Sequence, residues 1–363
     1  MAELLQRIEK LLLVESDQKV RAVLLARKAI YLARIGRFDE AKAITTELRT
    51  RFGSGESAQI TAWIMLVEAV CFLYENISPS ALDRVHRAQF LSLAIKDRAL
   101  IAITSAWKAH LEFERSDFSA MTVSLRIALA NATDDNHDAI ARLSMVMADA
   151  LFLCGNRKHA QVWFMRSRSH AVASGDQAST EALLYNRAAF GTAWLRAERC
   201  ISRDDSGELA LIRLEVASAR NFQDMTQISA LSHLISLCDA RLLILESEFE
   251  RAIAALELVR NCGPYANYNF DQDLIDLEVT YCLKKLGRTD DALETFGRIR
   301  GNDLAGMDVD DRLVVAWLRN EVTEGDERFG DHAVQSVQLE AVRNEYRTSR
   351  EALREMLIQF TDN

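Results

Sequence analysis

Two prolines, Pro79 and Pro264, are all that interrupt a chain of 363 residues. So little of the residue that breaks helices, with few β-branched runs, favours long helices over strands. An excess of positive charge is also missing. Lys and Arg total 44 against 53 for Asp and Glu, no basic stripe runs along the chain, and the pI is 5.4. A phosphate backbone is therefore not the expected partner. No 18 apolar residues follow one another without a break, so no membrane-spanning helix is expected. Met1 to Lys10 alternate charge with Leu and Ile and lack the basic start and apolar core of a signal peptide. The six cysteines (Cys71, Cys154, Cys200, Cys238, Cys262 and Cys282) stand far apart with no CxxC pair. They read as reduced, buried thiols in a cytoplasmic protein, with no metal centre.

Catalytic signatures are absent as well. There is no phosphate-binding glycine loop, no GxGxxG after a strand, no HExxH and no GxSxG. The seven histidines are scattered. Paired carboxylates such as Asp134/Asp135, Asp204/Asp205 and Asp290/Asp291 fall in turns or helix starts. There they serve helix N-termini through capping and the helix dipole rather than acid–base chemistry. The chain is expected to be no enzyme and to hold no cofactor.

What is present is a repeated phrase. Gly36-Arg37-Phe38-Asp39-Glu40-Ala41 returns at Ser116 to Met121, Gly155 to Ala160, Ser247 to Ala252 and Gly287 to Ala292. Seven residues before each opening lies a small residue: Ala29, Ala109, Ala148, Ala240 and Thr280. Small residues let two helices cross closely, and Gly or Ser suits the left-handed turn that ends a helix. Asn76, with Ala69 seven before it, supplies a sixth opening, and the period is close to 40 residues. An irregular hairpin around Asp204 or Asp205 fills the remaining gap, its register open. Ser78 followed by Pro79 is a helix start. Self-similarity of this kind reads as a helical solenoid.

The small residue, Gly/Ser turn, aromatic, Ala and later bulky residue match Ala29, Gly36, Phe38, Ala41 and Leu48. They match again at Ala240, Ser247, Phe249, Ala252 and Val259, with Pro264 at the end of that repeat. In this the chain resembles the tetratricopeptide-repeat (TPR) superfamily over roughly residues 20–300, with a longer period than the family's 34. The resemblance implies an all-α, right-handed α-solenoid of about seven TPR-like hairpins with a long C-terminal helix. Residues 1–300 would form the repeat domain. Residues 301–363, with 14 acidic and 7 basic side chains, would form an acidic segment and a last helix. In that helix Leu339, Val342, Tyr346, Leu353, Met356 and Phe360 follow a three-four alternation broken by Ser349. The seam is expected to cap the solenoid or to pair two copies as a coiled coil.

In such a superhelix the first helix of each hairpin lines the concave face, where the resemblance implies a protein or peptide partner. Residues 13, 10, 6 and 3 before each opening share one face of that helix. Charged or aromatic residues among apolar ones on this face are the candidate partner contacts: Trp63, His110, Phe113, Arg142, Asp149, Phe152, Arg241 and Tyr281. His110, Arg142 and Asp149 are expected to face one cavity, with Phe113 and Phe152 beside them. The family's basic clamp for C-terminal carboxylates is missing, since Ala26 and Ile30 stand at its positions. The expected function is a protein-binding scaffold. The alternative is a ligand- or peptide-sensing module whose last helix signals onward.

Overall fold

The computed structural model describes residues 3–53, 55, 57–76, 78–202, 208–228, 232–261, 269–299 and 307–360. Among them every regular element is helical and no strand occurs. The contacts divide the chain into two compact units. One comprises residues 1–183, 222–230 and 354–363; the other comprises residues 184–221 and 231–353. Residues 301–363 are thus shared between them.

The first unit contains α1 (Glu3–Val14), α2 (Gln18–Arg34), α3 (Phe38–Phe52), α4 (Ala58–Asn76) and α5 (Ser80–Ile95). It continues with α6 (Arg98–Glu114), α7 (Phe118–Asn131), α8 (His137–Leu153), α9 (Arg157–Ser174) and the start of α10 (Gln177–Ser202). Helices adjacent in sequence pack as pairs, α2 on α3, α4 on α5, α6 on α7 and α8 on α9. First helices also pack on first helices, α2 on α4 and α6 on α8. Helix α4 is apolar enough over Ala58–Glu75 to cross a membrane by composition alone. Half of that stretch is buried here, with Ile60, Leu66 and Val67 in the core.

The second unit holds the rest of α10, most of α11 (Leu209–Thr226), α12 (Ser232–Leu245), α13 (Phe249–Arg260) and α14 (Asn269–Lys285). It also holds α15 (Thr289–Phe296), α16 (Val309–Thr323) and α17 (His332–Leu357) through Leu353. Here α12 packs on α13, and α14 on α13, α15 and α16. Within α10 and α11 the close crossing is at Gly191, where a Cβ would lie 2.5 Å from Ile212 Cδ1. Residues 203–207, and with them Asp204 and Asp205, lie outside the described residues, as do Cys262, Pro264 and the turn 262–268.

The repeated phrase is one turn built five times. Gly36, Ser116, Gly155, Ser247 and Gly287 all take left-handed φ, between 57° and 85°. After each, the next amide donates to a carbonyl five residues back at 2.8–2.9 Å: Arg37 to Leu32, Asp117 to Glu112, Asn156 to Leu151, Glu248 to Leu243 and Arg288 to Leu283. This is the closure that satisfies the orphaned carbonyls of a helix end. The small residues ahead of the turns, Ala29, Ala109, Ala148, Ala240 and Thr280, are wholly buried, and so are Ala41, Met121, Ala160, Ala252 and Ala292 after them. The turn after α4 differs. The helix runs on through Asn76, Pro79 has helical dihedrals, and Ser78 Oγ accepts from the Ser80 amide at 3.3 Å.

Helix ends elsewhere are closed by cations. Lys284 Nζ donates to the carbonyls of Glu321, Val322 and Glu324 at the end of α16, and Arg343 to the carbonyl of Cys200. In the first unit Arg354 does the same to Cys154 and Arg7 to Ala173. Each places positive charge where the helix dipole is negative. Of the heptad residues, Leu339, Val342 and Tyr346 belong to the core of the second unit. Leu353 and Phe360 are buried and Met356 is partly buried. Burial pushes the thiols up, Cys71 and Cys238 to about 11 and Cys200 and Cys282 to about 12, so these are inert interior sulfurs.

Candidate functional site

Position 13 before a turn opening is where the first unit opens. Counting back from Gly36, Asn76, Ser116 and Gly155 gives Val23, Trp63, Ile103 and Arg142. All four line one of two adjoining cavities. The outer, about 220 Å³ and open to solvent, is walled by Val23, Gln59, Trp63, Ala99 and Ile103, with Asp97, Asp135 and His137 at its polar edge. The inner, about 30 Å³, has room for about two waters. Arg27, Trp63, Ile103 and Asp138 belong to both.

Inside the inner cavity the charges are unequal. Arg34 donates to the Asp176 carboxylate at 2.8 Å and to Ser179 Oγ at 2.7 Å. Asp176 also caps α10, accepting from the Ser179 amide at 2.9 Å. Burial alone would raise the Asp176 carboxyl, but the Arg34 charge and these hydrogen bonds outweigh it and hold it below its usual range. At the edge Arg27 pairs with Asp138 at 2.6 Å. Arg142, only 3% exposed, forms no salt bridge with any described carboxylate. Its guanidinium lies 3.9 Å from the centre of the Trp107 ring and 3.7 Å from Met145 Sδ. Burial pulls it below the usual arginine range, with Tyr74 opposing. A cation stacked on an indole is favourable, by about 2 kcal/mol when desolvated, yet less than a charge partner would give.

The expected cluster is only partly assembled. Trp63 and Arg142 meet at the inner cavity. His110 lies with its ring 5.8 Å from that of Trp107, and Asp149 is 1% exposed; neither lines the cavity. Repeat position alone does not fix the lining. On α2 the lining runs on to Ile30 and Arg34, six and two residues before the turn, whereas on α6 and α8 it stops at Trp107 and Arg142, nine and thirteen before it. His110 is held neutral, its proton affinity lowered by burial and then by the Arg142 and Arg34 charges. Phe113 packs 6.2 Å from Phe118, while Phe152 lies 5.2 Å beneath Arg157. Neither borders the cavities.

Arg241 and Tyr281 belong to a different place, a cavity of about 30 Å³ in the second unit. Arg196, Arg199 and Glu278 join them there, with Trp317 5.3 Å from the Tyr281 ring. Both Arg196 and Arg241 bond to Glu278 Oε1, the latter at 3.1 Å. Tyr31, Arg34, Asp138 and Asp176 were not singled out from the sequence. Arg34 and Asp176 stand 142 residues apart, and no repeat position links them. The only local signal was an arginine ending an otherwise apolar stretch, Ala29 to Arg34. Among the described residues no cluster of His, Cys, Asp or Glu could hold a metal ion. Neither a family model nor a curated protein matches this chain in sequence.

Proposed function

We propose that this chain is a non-catalytic, cytoplasmic binding module. It takes a segment of another protein along the first helices of residues 18–153, in a TPR-like right-handed superhelix. The carrying observation is that Val23, Trp63, Ile103 and Arg142, one from each of four successive first helices, line two adjoining cavities at one repeat position. The packing of α2 on α4 and α6 on α8, and the five identical turns, support the superhelical reading. An open site with one aromatic edge and a few charged groups suits a peptide better than a reaction, because hot spots concentrate where such residues sit in desolvated pockets. The sharing of Leu339, Val342 and Tyr346 with the core of the second unit supports the capping role of α17 over a homodimer. No nucleic acid, membrane or cofactor is part of this reading.

The test is selection of a random peptide library on the purified protein, followed by hydrogen exchange of the complex. Selected peptides should slow exchange in α2, α4, α6 and α8. Protection confined to other helices would defeat the proposal. A second reading, a sensor, has one observation in its favour. Arg354 near the end of α17 holds the Cys154 carbonyl at 2.8 Å, at the end of the helix that carries Arg142. On that reading, binding at Arg142 should raise exchange of the Arg354 region in the same experiment.

A further inference from the structure

Three residues that line the inner cavity each carry a buried polar atom without a hydrogen-bond partner: Arg142 Nη2, Arg34 Nε and Tyr31 Oη. All three side chains are more than nine-tenths buried. The two guanidinium atoms can only donate, and the phenol donates as readily as it accepts. Buried donors are normally satisfied, so three left open around one small space mark where an acceptor belongs. Arg142, whose side chain bonds to that of Tyr74, adds a positive charge that forms no salt bridge with a described carboxylate.

The edge has the opposite polarity. Asp138 gives Oδ2 to Arg27, while its buried Oδ1 has no partner. Asp135 stands beside it, its carboxyl kept low by the Thr133 hydroxyl. An N–H donor suits this edge, and a second anion there would be repelled. Size completes the match. The inner space takes about two oxygens, whereas the outer one has room for the chain that carries them.

The geometry points to the inner cavity as a carboxylate subsite that receives an acidic side chain of the bound polypeptide. Arg142, Arg34 and Tyr31 donate to the carboxylate, and Asp138 Oδ1 accepts an N–H from the flanking segment. The inference rests on the binding reading above and adds the chemistry of its anchor. Charge-assisted hydrogen bonds in a desolvated site are strong enough to make one acidic residue obligatory.

The test uses the peptides selected above, each paired with its Glu→Gln or Asp→Asn counterpart. N-acetylglutamate α-amide and N-acetylglutamine α-amide serve as small probes, read through the Arg142 guanidinium signal in NMR. Wild-type protein should lose at least about tenfold in affinity for the amide-substituted peptide. Arg142→Met should bind both members of the pair alike while keeping its fold and its thermal midpoint. Tyr31→Phe, which removes one donor only, should show a smaller loss. Neutral peptides that protect α2 to α8 and tolerate the swap would overturn the carboxylate subsite and leave the binding reading intact. If no peptide protects these helices but the glutamate probe alone moves the Arg142 signal, the subsite holds and the peptide reading falls. If neither probe moves it, the subsite is refuted.

Discussion

Two interior arginine sites in one molecule are built differently. In the second unit Arg196 and Arg241 converge on Oε1 of Glu278, which is 1% exposed and whose Oε2 has no hydrogen-bond partner. In the first unit Arg34 has Asp176, but Arg142 rests on the Trp107 ring with no described carboxylate bound to it. A shared carboxylate makes the first kind of site a structural joint, because losing either sign strands a buried charge. A cation left open beside a cavity is the reverse: it holds little of the fold together and is poised for an outside acceptor. The difference teaches that burial of an arginine says nothing about its role until its counter-charge is located.

The strongest way to break this comparison is to remove the shared carboxylate. Glu278→Ala should cost about 3–5 kcal/mol, since it leaves the buried Arg196 without its carboxylate. Hydrogen exchange should show the loss in α12, α14 and α10 beyond Leu184. Equal stability of the variant and the parent in urea would mean that Glu278 is not the joint described.

Next in size is overpacking at the crossings that carry these helices. Ala148 lies on α8 with Arg142, Ala240 lies on α12 next to Arg241, and both are wholly buried. Leucine at either should cost roughly 1–3 kcal/mol. Denaturation should register Ala148→Leu in the first unit and Ala240→Leu in the second. A neutral result at either position would remove the close crossing there.

The counter-charge of the first unit is sharpened by Glu181, which is 2% exposed and has a buried Oε1 without a partner. Burial raises its carboxyl to about 8, with Arg34 opposing. The folded value lies above the unfolded one, so folding takes up a proton between these values. Stability is then lost as pH rises from the ordinary carboxylate range towards 8 and levels off beyond it. Glu181→Gln should remove that loss, gaining at least about 1 kcal/mol at pH 8 and nothing near pH 4. Thermal midpoints across that range decide it; a gain independent of pH would point to packing instead.

The smallest effect belongs to the turns that both units share. Ser116 and Ser247 hold the left-handed φ that Gly36, Gly155 and Gly287 hold. Glycine at either should stabilise by about 0.5–1 kcal/mol, the strain relieved less the entropy that glycine adds. A drop in the midpoint would show the serine side chain to be making up the difference.

Much of the fold was legible in the chain. The five Gly and Ser turn openings, the small residues before them and the alanines and Met121 after them occupy the structural positions their spacing implied, whereas Asn76 continues a helix. Trp63 and Arg142, expected as partner contacts at one distance from the turn, both line the inner cavity. His110 and Asp149 fall outside the inner cavity although Ile30, at the same distance from its turn, lines it, so repeat position does not by itself say which helix the cavity follows. Gly191 was open to reading as a close crossing, being a glycine inside a long helix, but no repeat drew attention to it.

The sequence by itself determined where helices stop and turn. That chemistry is complete within nine residues: a left-handed Gly or Ser, a carbonyl five back from the amide that follows it and a buried small residue seven before it. Only the tertiary structure decided which buried charges are matched. Arg34 finds Asp176 across 142 positions and Arg196 finds Glu278 across 82, and nothing local constrains either pairing. Arg142 is left open for the same reason. A counter-ion depends on which helices come together in space, whereas a helix end depends only on the residues that form it.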